Sequence, residues 1–379
     1  MKNIPFHKPF ISNKEKKYLN ISLNNLNQSS KKVYSKKCEI FLEKKLNAKK
    51  VFIVNSCTSA LEIIAHLLKI KNGDEVILPS YTFVSTANAF LLRGAKLKFA
   101  DVNLNDMNID PKKVEKLITK KTKAIVLVHY AGSPCDMDNF RKLEKKYSIP
   151  IIEDAAQALG AKYNNKFLGT FSKFSALSFH ESKNITSGEG GALIINDKQY
   201  IKQASYIINK GTNREEFNNK LKKKYTWVSV GSSYVLSELN SSILYAQLQK
   251  LKYINFRRKK IWNKYNDNFQ VLESKGHLLR QKINLKGKNN AHIYFVLLKS
   301  KKTRDRFISF MKERGVTCLF HYVPLDSSPM GKKLNKFQNN CKNTKSGFER
   351  LVRFPIWLGI EKYQDTIILL TKKFFNLQK

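Results

Sequence analysis

The chain has 379 residues, of which 42% are hydrophobic, and its formal net charge is +41. This length and apolar content allow a sizeable core and leave room for one large domain plus a smaller one, so disorder is not the default interpretation. No window reaches the roughly 18 uncharged apolar residues of a membrane span, so we expect a cytoplasmic protein without membrane insertion.

The charge of +41 is the feature that most strongly suggests an anionic partner such as nucleic acid. The lysines are, however, spread along the whole chain and not concentrated in one segment. A solvated basic surface explains that distribution better than a dedicated groove, and we expect no specific nucleic-acid partner. A nucleic-acid-binding protein stays open as the alternative from another functional class.

The five cysteines lie far apart in the sequence and are odd in number. Disulfide frameworks and zinc sites both need paired or closely spaced ligands, and no His/Cys/Asp cluster has such spacing. We therefore expect reduced thiols and no bound metal.

Short apolar runs alternate with helical patterns between Val51 and Asn196, which predicts a wound α/β domain. The run Ala-Ile-Val-Leu-Val at 124–128 is apolar on successive residues, as in parallel strands covered on both faces. Strands are predicted at 75–78, 96–100, 124–128 and 150–153, and crossover helices at 59–68, 84–92 and 138–147. Ligands gather beyond the carboxyl ends of parallel strands, so residues there are the first candidates for a site.

The pattern becomes helical after Asn196, and a second α/β region begins near Asn289. In this half we predict a long helix at 237–251, a strand at 292–298, a helix at 303–314 and a terminal helix after Gln364. The predicted domains are an N-terminal arm at 1–20, a large domain at 21–250 and a smaller C-terminal domain at 251–379. The segment 250–275 could belong to either domain.

The first candidate site is the segment Asn55-Ser-Cys-Thr-Ser-Ala60, which follows an apolar strand and precedes a helix. Backbone N–H groups at a helix start, with hydroxyls beside them, bind phosphate. An ordinary Ser/Thr N-cap gives the same pattern, and for this segment alone the N-cap is the favoured interpretation.

The second candidate is Ile151-Ile-Glu-Asp154-Ala-Ala-Gln157, where an apolar strand ends in a carboxylate and an amide follows. Pyridoxal 5′-phosphate (PLP) needs an anion at its pyridine nitrogen, because a protonated ring is the better electron sink. Asp154 could supply that anion, and Gln157 could reach the ring's phenolic oxygen. A carboxylate that only caps the next helix explains the position equally well.

The third candidate is Ser178-Phe-His180-Glu-Ser-Lys183-Asn184, followed by Gly188-Glu-Gly-Gly191 and an apolar strand at 192–195. A lysine amine binds PLP covalently and then moves protons between substrate and cofactor. Dozens of other lysines compete, so position alone does not select Lys183. The glycines fit a tight turn and match neither the Walker pattern nor the dinucleotide fingerprint.

Taken in order, these segments resemble the DegT/StrS family of sugar-nucleotide aminotransferases over nearly the whole chain. A fourth segment of the resemblance is Pro-Ser-Tyr-Thr-Phe-Val-Ser-Thr-Ala-Asn-Ala at 79–89. Five more segments are most similar to the family members that form dTDP-4-amino-4,6-dideoxygalactose, namely 4–6, 129–132, 210–214, 224–227 and 320–325.

The resemblance implies a PLP-dependent aminotransferase of fold type I, with a mostly parallel central sheet in the large domain and a smaller C-terminal α/β domain. It implies that Lys183 carries the cofactor, that Asp154 pairs with the pyridine nitrogen and that Gln157 contacts the ring oxygen. Phe83 matches the aromatic residue that the family has over the ring. Without the resemblance, Phe83 would be interpreted as a core aromatic residue.

The resemblance also implies where the phosphate binds, since Cys57, Thr58 and Ser178 match the family's phosphate-binding positions. The family usually has an Asn, after a Gly and an aromatic residue, that reaches the phosphate from the neighbouring subunit. This chain has Gly231-Ser-Ser233-Tyr234 there, so Ser233 would take that position, and its hydroxyl can still donate to phosphate. A homodimer with shared active sites is implied in the same way.

The substrates implied by the resemblance are L-glutamate as amino donor and dTDP-4-keto-6-deoxy-D-glucose as acceptor. The product, dTDP-4-amino-4,6-dideoxy-D-galactose, would serve the assembly of surface polysaccharide such as lipopolysaccharide. His180, His321 and Tyr322 are candidates for substrate contact, with structural packing as an equal alternative for each.

Two enzymatic alternatives share the cofactor motifs. One is transamination of a related nucleotide keto sugar at C3, or at C4 with the other stereochemistry. The other is a dehydratase-like branch in which His replaces the cofactor lysine, and Lys183 disfavours it.

Overall fold

The computed structural model describes residues 3–27, 32–334 and 341–376. Within these ranges the strands are β1 (Lys50–Val54), β2 (Glu75–Pro79), β3 (Lys96–Ala100), β4 (Thr122–Val128), β5 (Ile151–Asp154), β6 (Lys162–Tyr163), β7 (Lys166–Phe167), β8 (Phe174–Ser178), β9 (Gly191–Ile195), β10 (Leu278–Arg280), β11 (Gly287–Lys288), β12 (Tyr294–Leu298) and β13 (Leu351–Phe354).

The same ranges contain the helices of the fold. They are α1 (Asn13–Asn24), α2 (Val33–Leu46), α3 (Cys57–Leu67), α4 (Val84–Leu91), α5 (Pro111–Glu115), α6 (Met137–Tyr147), α7 (Ile201–Ile208), α8 (Arg214–Asn218), α9 (Glu238–Gln249), α10 (Leu251–Asn268), α11 (Gln270–Ser274), α12 (Lys301–Glu313), α13 (Pro329–Leu334), α14 (Lys342–Arg350) and α15 (Glu361–Asn376). No helix of the described ranges has the length and apolarity that crossing a membrane requires.

The central sheet has seven strands in the order β1-β9-β8-β5-β4-β2-β3. The pairs from β8 to β3 are parallel, whereas β9 is antiparallel to both β1 and β8. The predicted α/β class with a mostly parallel sheet is therefore confirmed.

Successive side chains of a strand point to opposite faces of the sheet. Both faces of this sheet are buried. On β4, Ile125 and Leu127 belong to one apolar cluster, while Ala124 and Val126 belong to the cluster on the opposite face. All four side chains are fully buried. This double coverage explains why the strand is apolar on successive residues.

A second sheet, β10-β12-β13, is antiparallel and carries a core of its own. Tyr294 of β12 packs there against Tyr265 and Phe354. The alternate residue Phe295 points the other way, towards Tyr130, which follows β4. The second sheet therefore packs against the carboxyl end of the central sheet, and a cavity lies at this junction.

The helix α10 joins the two cores. Leu251 and Ile254 pack with the central-sheet cluster, whereas Ile261 and Trp262 pack with the aromatic core of the second sheet. The division of the chain at residue 250 stays a prediction, since one continuous helix serves both cores.

Candidate active site

The cavity at the junction of the two sheets has a volume of about 540 Å³. It brings together ten of the eleven residues predicted for the site, and Ser233 is the exception. Those ten are Cys57, Thr58, Phe83, Asp154, Gln157, Ser178, His180, Lys183, His321 and Tyr322. A wider, more open groove of about 1700 Å³ at the amino ends of the strands has none of them.

The start of α3 forms one wall of the cavity. Ser56 is the N-cap, and its Oγ accepts a hydrogen bond from Ser59 N at 3.0 Å. The capping interpretation therefore holds for Ser56, and it leaves the N–H groups of Cys57 and Thr58 ahead of the first intrahelical bond. Those groups remain suited to an anion.

Gly191, the first residue of β9, allows that wall to form. A Cβ atom at this position would overlap the carbonyl carbon of Ser56 and the nitrogen of Cys57. Only glycine lets β9 pair with β1 so close to the start of α3.

Asp154 is the buried carboxylate of the cavity, at the carboxyl end of β5. It accepts hydrogen bonds from Thr86 Oγ1 at 2.8 Å and from Ala156 N at 3.1 Å. Burial raises its pKa, although these two bonds and the charge of Lys183 act in the opposite direction. A carboxylate in this state is suited to a cationic partner such as a protonated ring nitrogen.

Lys183 lies in the loop after β8, where its N–H donates to the carbonyl of His180 at 2.9 Å. Desolvation in the cavity lowers the pKa of its amine, against the opposing influence of Cys57 and Asp154. A lowered pKa increases the neutral fraction of the amine, and only the neutral amine is a nucleophile.

Gln157 is fixed by bonds at both ends of its amide. Oε1 accepts from Ala131 N at 2.6 Å, and Nε2 donates to the hydroxyl of Tyr322 at 3.0 Å. Tyr322 thus connects the second sheet's side of the cavity to the loop after β5.

His321 stacks on Tyr322 and forms a hydrogen bond between its Nδ1 and the hydroxyl of Tyr130 at 2.8 Å. Burial lowers the pKa of His321 well below its ordinary value, and the charges of Arg353 and Lys183 add to that effect. His321 and Tyr322 therefore pack structurally and also line the cavity. His180 bonds Ser182 Oγ at 2.9 Å at the cavity's exposed edge.

Phe83 precedes α4 and is 56% exposed, so its interpretation as a core aromatic residue is wrong. Its ring faces the cavity, 6.2 Å from the ring of Tyr322. An exposed aromatic ring on a cavity wall is suited to cover a flat ligand.

Ser233 lies outside the cavity, next to Asn209, with which it forms a backbone bridge. The family resemblance implies that Ser233 contacts the cofactor of a neighbouring subunit and not that of its own chain. The role of Ser233 stays a prediction.

Several cavity residues were missed by the sequence analysis. Among them are Phe6, His7, Thr86, Arg258, His292 and Arg353. Arg353 had a visible signal, because it is a charged residue inside the apolar run Leu351-Val-Arg-Phe354. Arg258 had none, since it sits in a stretch of four basic residues that looks like a solvated face.

The residues of the cavity fit PLP. A helix start with free N–H groups suits the phosphate, and Asp154 suits the ring nitrogen. Burial lowers the pKa of the Lys183 amine, which favours the neutral form that can link to PLP, and Phe83 presents a free ring face.

Comparison with known proteins gives the same family. Residues 9–369 match the sequence model of the DegT/DnrJ/EryC1/StrS aminotransferase family. The chain is 30% identical over 333 residues to GDP-perosamine synthase of Escherichia coli O157:H7, covering 87% of each chain. It is 30% identical over 321 residues to the spore coat polysaccharide biosynthesis protein SpsC of Bacillus subtilis, covering 82% of each.

Solved structures agree on the fold. PseC of Helicobacter pylori, an aminotransferase involved in pseudaminic acid biosynthesis, superposes with a TM-score of 0.89 at 27% identity, over 99% of this chain and 100% of that one. The protein Spr1654 of Streptococcus pneumoniae in its PMP form gives a TM-score of 0.88 at 24% identity, over 99% of both chains. The chain therefore belongs to the DegT/DnrJ/EryC1/StrS family and is a PLP-dependent sugar aminotransferase.

Proposed function

We propose that this enzyme transfers the amino group of L-glutamate to C4 of dTDP-4-keto-6-deoxy-D-glucose, forming dTDP-4-amino-4,6-dideoxy-D-galactose. The observation that carries the proposal is a single cavity with a desolvated amine, Lys183, and a buried carboxylate, Asp154. The segments 4–6, 129–132, 210–214, 224–227 and 320–325 support this sugar, because they resemble the family members that form it.

PLP, when bound, supplies an electron sink for the carbanion at the reacting carbon. We assign the phosphate to the start of α3, with the hydroxyls of Thr58 and Ser178 as further donors. Asp154 holds a proton on the ring nitrogen, because its buried carboxylate gains a cationic partner there. Phe83, on the cavity wall, would cover one face of the ring and keep water from it.

Lys183 is the proposed acid and base of the reaction. Its Nζ removes the proton from the α-carbon of L-glutamate in the first half, and delivers a proton to C4 of the sugar in the second. Both steps need an amine that exchanges protons near neutral pH, and desolvation moves the pKa of Lys183 in that direction.

Other nucleotide sugars are alternatives to the proposed acceptor. One relative is named for GDP-perosamine and a structural neighbour for pseudaminic acid, so the family aminates several sugars. A related nucleotide keto sugar aminated at C3, or at C4 with the other stereochemistry, is the alternative.

We further propose a homodimer with shared active sites. The segment 217–230 carries apolar side chains that a folded chain does not normally expose to water, among them Leu221, Trp227 and Val230. Ser233 lies three residues after the end of this segment. A second copy that covers the segment would bring Ser233 close to the partner's phosphate site.

The test uses purified protein loaded with PLP, with L-glutamate and dTDP-4-keto-6-deoxy-D-glucose as substrates. NMR of the sugar product is expected to give an axial amine at C4. An equatorial amine, or an amine at C3, would contradict the sugar assignment and leave the transfer intact. If the enzyme forms no amino sugar from this acceptor but is active on another nucleotide sugar, the proposed acceptor is rejected.

A further inference from the structure

Arg353 is a cavity residue to which neither the family's cofactor motifs nor the proposed reaction steps give a role. It is the third residue of β13, between the buried residues Val352 and Phe354. Its backbone pairs with Phe295 of β12 and exchanges two hydrogen bonds with Leu319. The strand therefore holds this side chain at the cavity wall.

The guanidinium of Arg353 is fixed by two neighbours. Its Nε and Nη2 both donate to the carbonyl of Phe320, at 3.2 and 2.9 Å. The ring of Phe6 lies against it, with 4.7 Å between the guanidinium carbon and the ring centroid. An arginine has five N–H donors, so donors remain for a ligand in the cavity.

The charge of Arg353 has no counterion among the described residues. Its neighbours Tyr81, Tyr130 and Tyr322 are neutral, since burial raises the pKa of each, and burial lowers the pKa of Arg353. A cation held in a desolvated site without an anion is costly, so the site is suited to an anionic ligand.

The carboxylates of the cavity do not fill that role. Asp154 is assigned to the ring nitrogen, and Glu189 lies at the exposed edge, 3.6 Å from His180. Arg258 is a useful contrast, because its Nε and Nη2 donate to two carbonyls, of Ala291 and His292, and so tie α10 to the loop before β12.

We propose that Arg353 binds an oxyanion of the substrates, either the carboxylate of the amino donor or the diphosphate of the sugar nucleotide. This inference rests on the proposed function, in which both groups enter this cavity. The planar guanidinium suits both, since it donates two parallel hydrogen bonds to a carboxylate or a phosphate. Phe6 and the Phe320 carbonyl keep the fork oriented before the ligand arrives.

The experiment compares PLP-loaded wild type with Arg353→Met and Arg353→Gln by calorimetric titration. The probes are 2-oxoglutarate, for the donor carboxylate, and dTDP, for the diphosphate. We expect the Kd of at least one probe to rise roughly 10- to 100-fold in both variants, as for a lost charged hydrogen bond. The probe that weakens identifies which anion Arg353 binds.

Arg350→Met is the matched control, because Arg350 also donates to a backbone carbonyl, that of Leu298 at 2.6 Å, and does not line the cavity. It should bind both probes as the wild type does. Arg353→Gln keeps a donor for the Phe320 carbonyl, so it separates loss of charge from loss of packing.

Unchanged affinity of both Arg353 variants for both probes would overturn the inference. The inference would also be overturned if the variants lose affinity for a probe only when they also lose the cofactor absorbance band, because that pattern indicates a structural role for Arg353. A wild type that takes up PLP and binds neither probe would count against the proposed substrates instead.

Discussion

The carboxylate of Asp154 is expected to destabilise the protein when PLP is absent. Its folded pKa is raised by burial, so the folded chain resists losing a proton that the unfolded chain releases above about pH 4. The resulting penalty grows as the pH rises from the unfolded pKa to the folded one, and then stays constant. We predict that Asp154→Asn raises the Tm of the cofactor-free protein at pH 8, and that this gain shrinks towards pH 4.

The same substitution should lower transamination roughly 100-fold or more, because the ring nitrogen loses its anionic partner. Scanning calorimetry with and without PLP measures the first effect, and steady-state kinetics the second. Asp197→Asn is the control, since hydrogen bonds from Lys173 and Gln199 outweigh burial and lower the pKa of Asp197. It should leave the Tm unchanged or slightly lower. A destabilised Asp154→Asn at pH 8 would contradict this account.

Lys183→Ala should retain PLP without a covalent link and lose roughly 10²- to 10⁴-fold in transamination rate, because the proton carrier is gone. Absorbance spectra after gel filtration and after borohydride treatment report the link, and the rate is measured with L-glutamate. Lys173→Ala is the matched control, at the other end of β8 and paired with Asp197 at 3.1 Å. Near wild-type turnover in Lys183→Ala would refute the assignment.

The lowered pKa of Lys183 also gives a pH dependence. The neutral amine that reacts with PLP forms as the pH rises through the folded pKa, which lies below the ordinary lysine value of 10.5. The rate at which the cofactor-free protein takes up PLP should therefore rise with pH and level off below 10.5. A rate that still climbs with the slope of an ordinary lysine at pH 10.5 would contradict the effect of burial.

At the scale of the helices and strands, the sequence predicts elements with a clear apolar pattern well, including the short strands β2 to β5, and elements without such a pattern poorly. The predicted helices 59–68, 84–92 and 138–147 correspond to α3, α4 and α6 within two residues at each end. β13 escaped prediction, because four residues interrupted by Arg353 carry no clear alternation. The sequence also does not predict that β9 is antiparallel to its neighbours, since a buried apolar run looks the same in parallel and antiparallel pairs.

The junction of β9 with α3 provides a prediction at this scale. Gly191→Ala should cost about 1–3 kcal/mol, because the new Cβ meets backbone atoms of Ser56 and Cys57 that cannot move aside easily. PLP affinity should fall as well, since the start of α3 is displaced. Denaturant unfolding and PLP titration measure the two effects.

Gly347→Ala is the control for that overlap, because its Cβ would meet the flexible end of Met107, away from the cavity. Gly347→Ala should lower the free energy of unfolding less than Gly191→Ala does, and it should leave PLP affinity unchanged. A Gly191→Ala protein with wild-type PLP affinity would argue against the start of α3 as the phosphate site.

At the scale of the whole molecule, the site depends on long-range contacts that the sequence does not reveal. Strand ends and motifs identify Asp154 and Lys183, because each is local to its segment. The approach of Phe6, Arg258 and Arg353 depends on how the second sheet and the N-terminal residues pack against the central sheet. The contact that holds the N-terminal residues is long-range, since the N–H of Ile4 donates to the Gly315 carbonyl at 2.7 Å. No local sequence pattern predicts this contact.

The proposed dimer gives the last prediction. Trp227 is 76% exposed, and a large exposed aromatic side chain is typical of interface hot spots. Trp227→Glu should raise the dimer Kd by about 30-fold or more, since hot-spot truncations cost at least about 2 kcal/mol. Sedimentation velocity across a concentration series measures the association, and the activity should fall with the dimer fraction if Ser233 serves the partner's site.

Leu285→Glu is the control for that substitution, because Leu285 is a fully exposed leucine outside the segment 217–230. It adds the same charge to a similar surface and should leave both association and activity unchanged. If the Trp227→Glu protein remains dimeric, the dimer interface does not include the segment 217–230. A monomeric variant with full activity would show that each cavity works alone, and Ser233 would then not serve the partner's site.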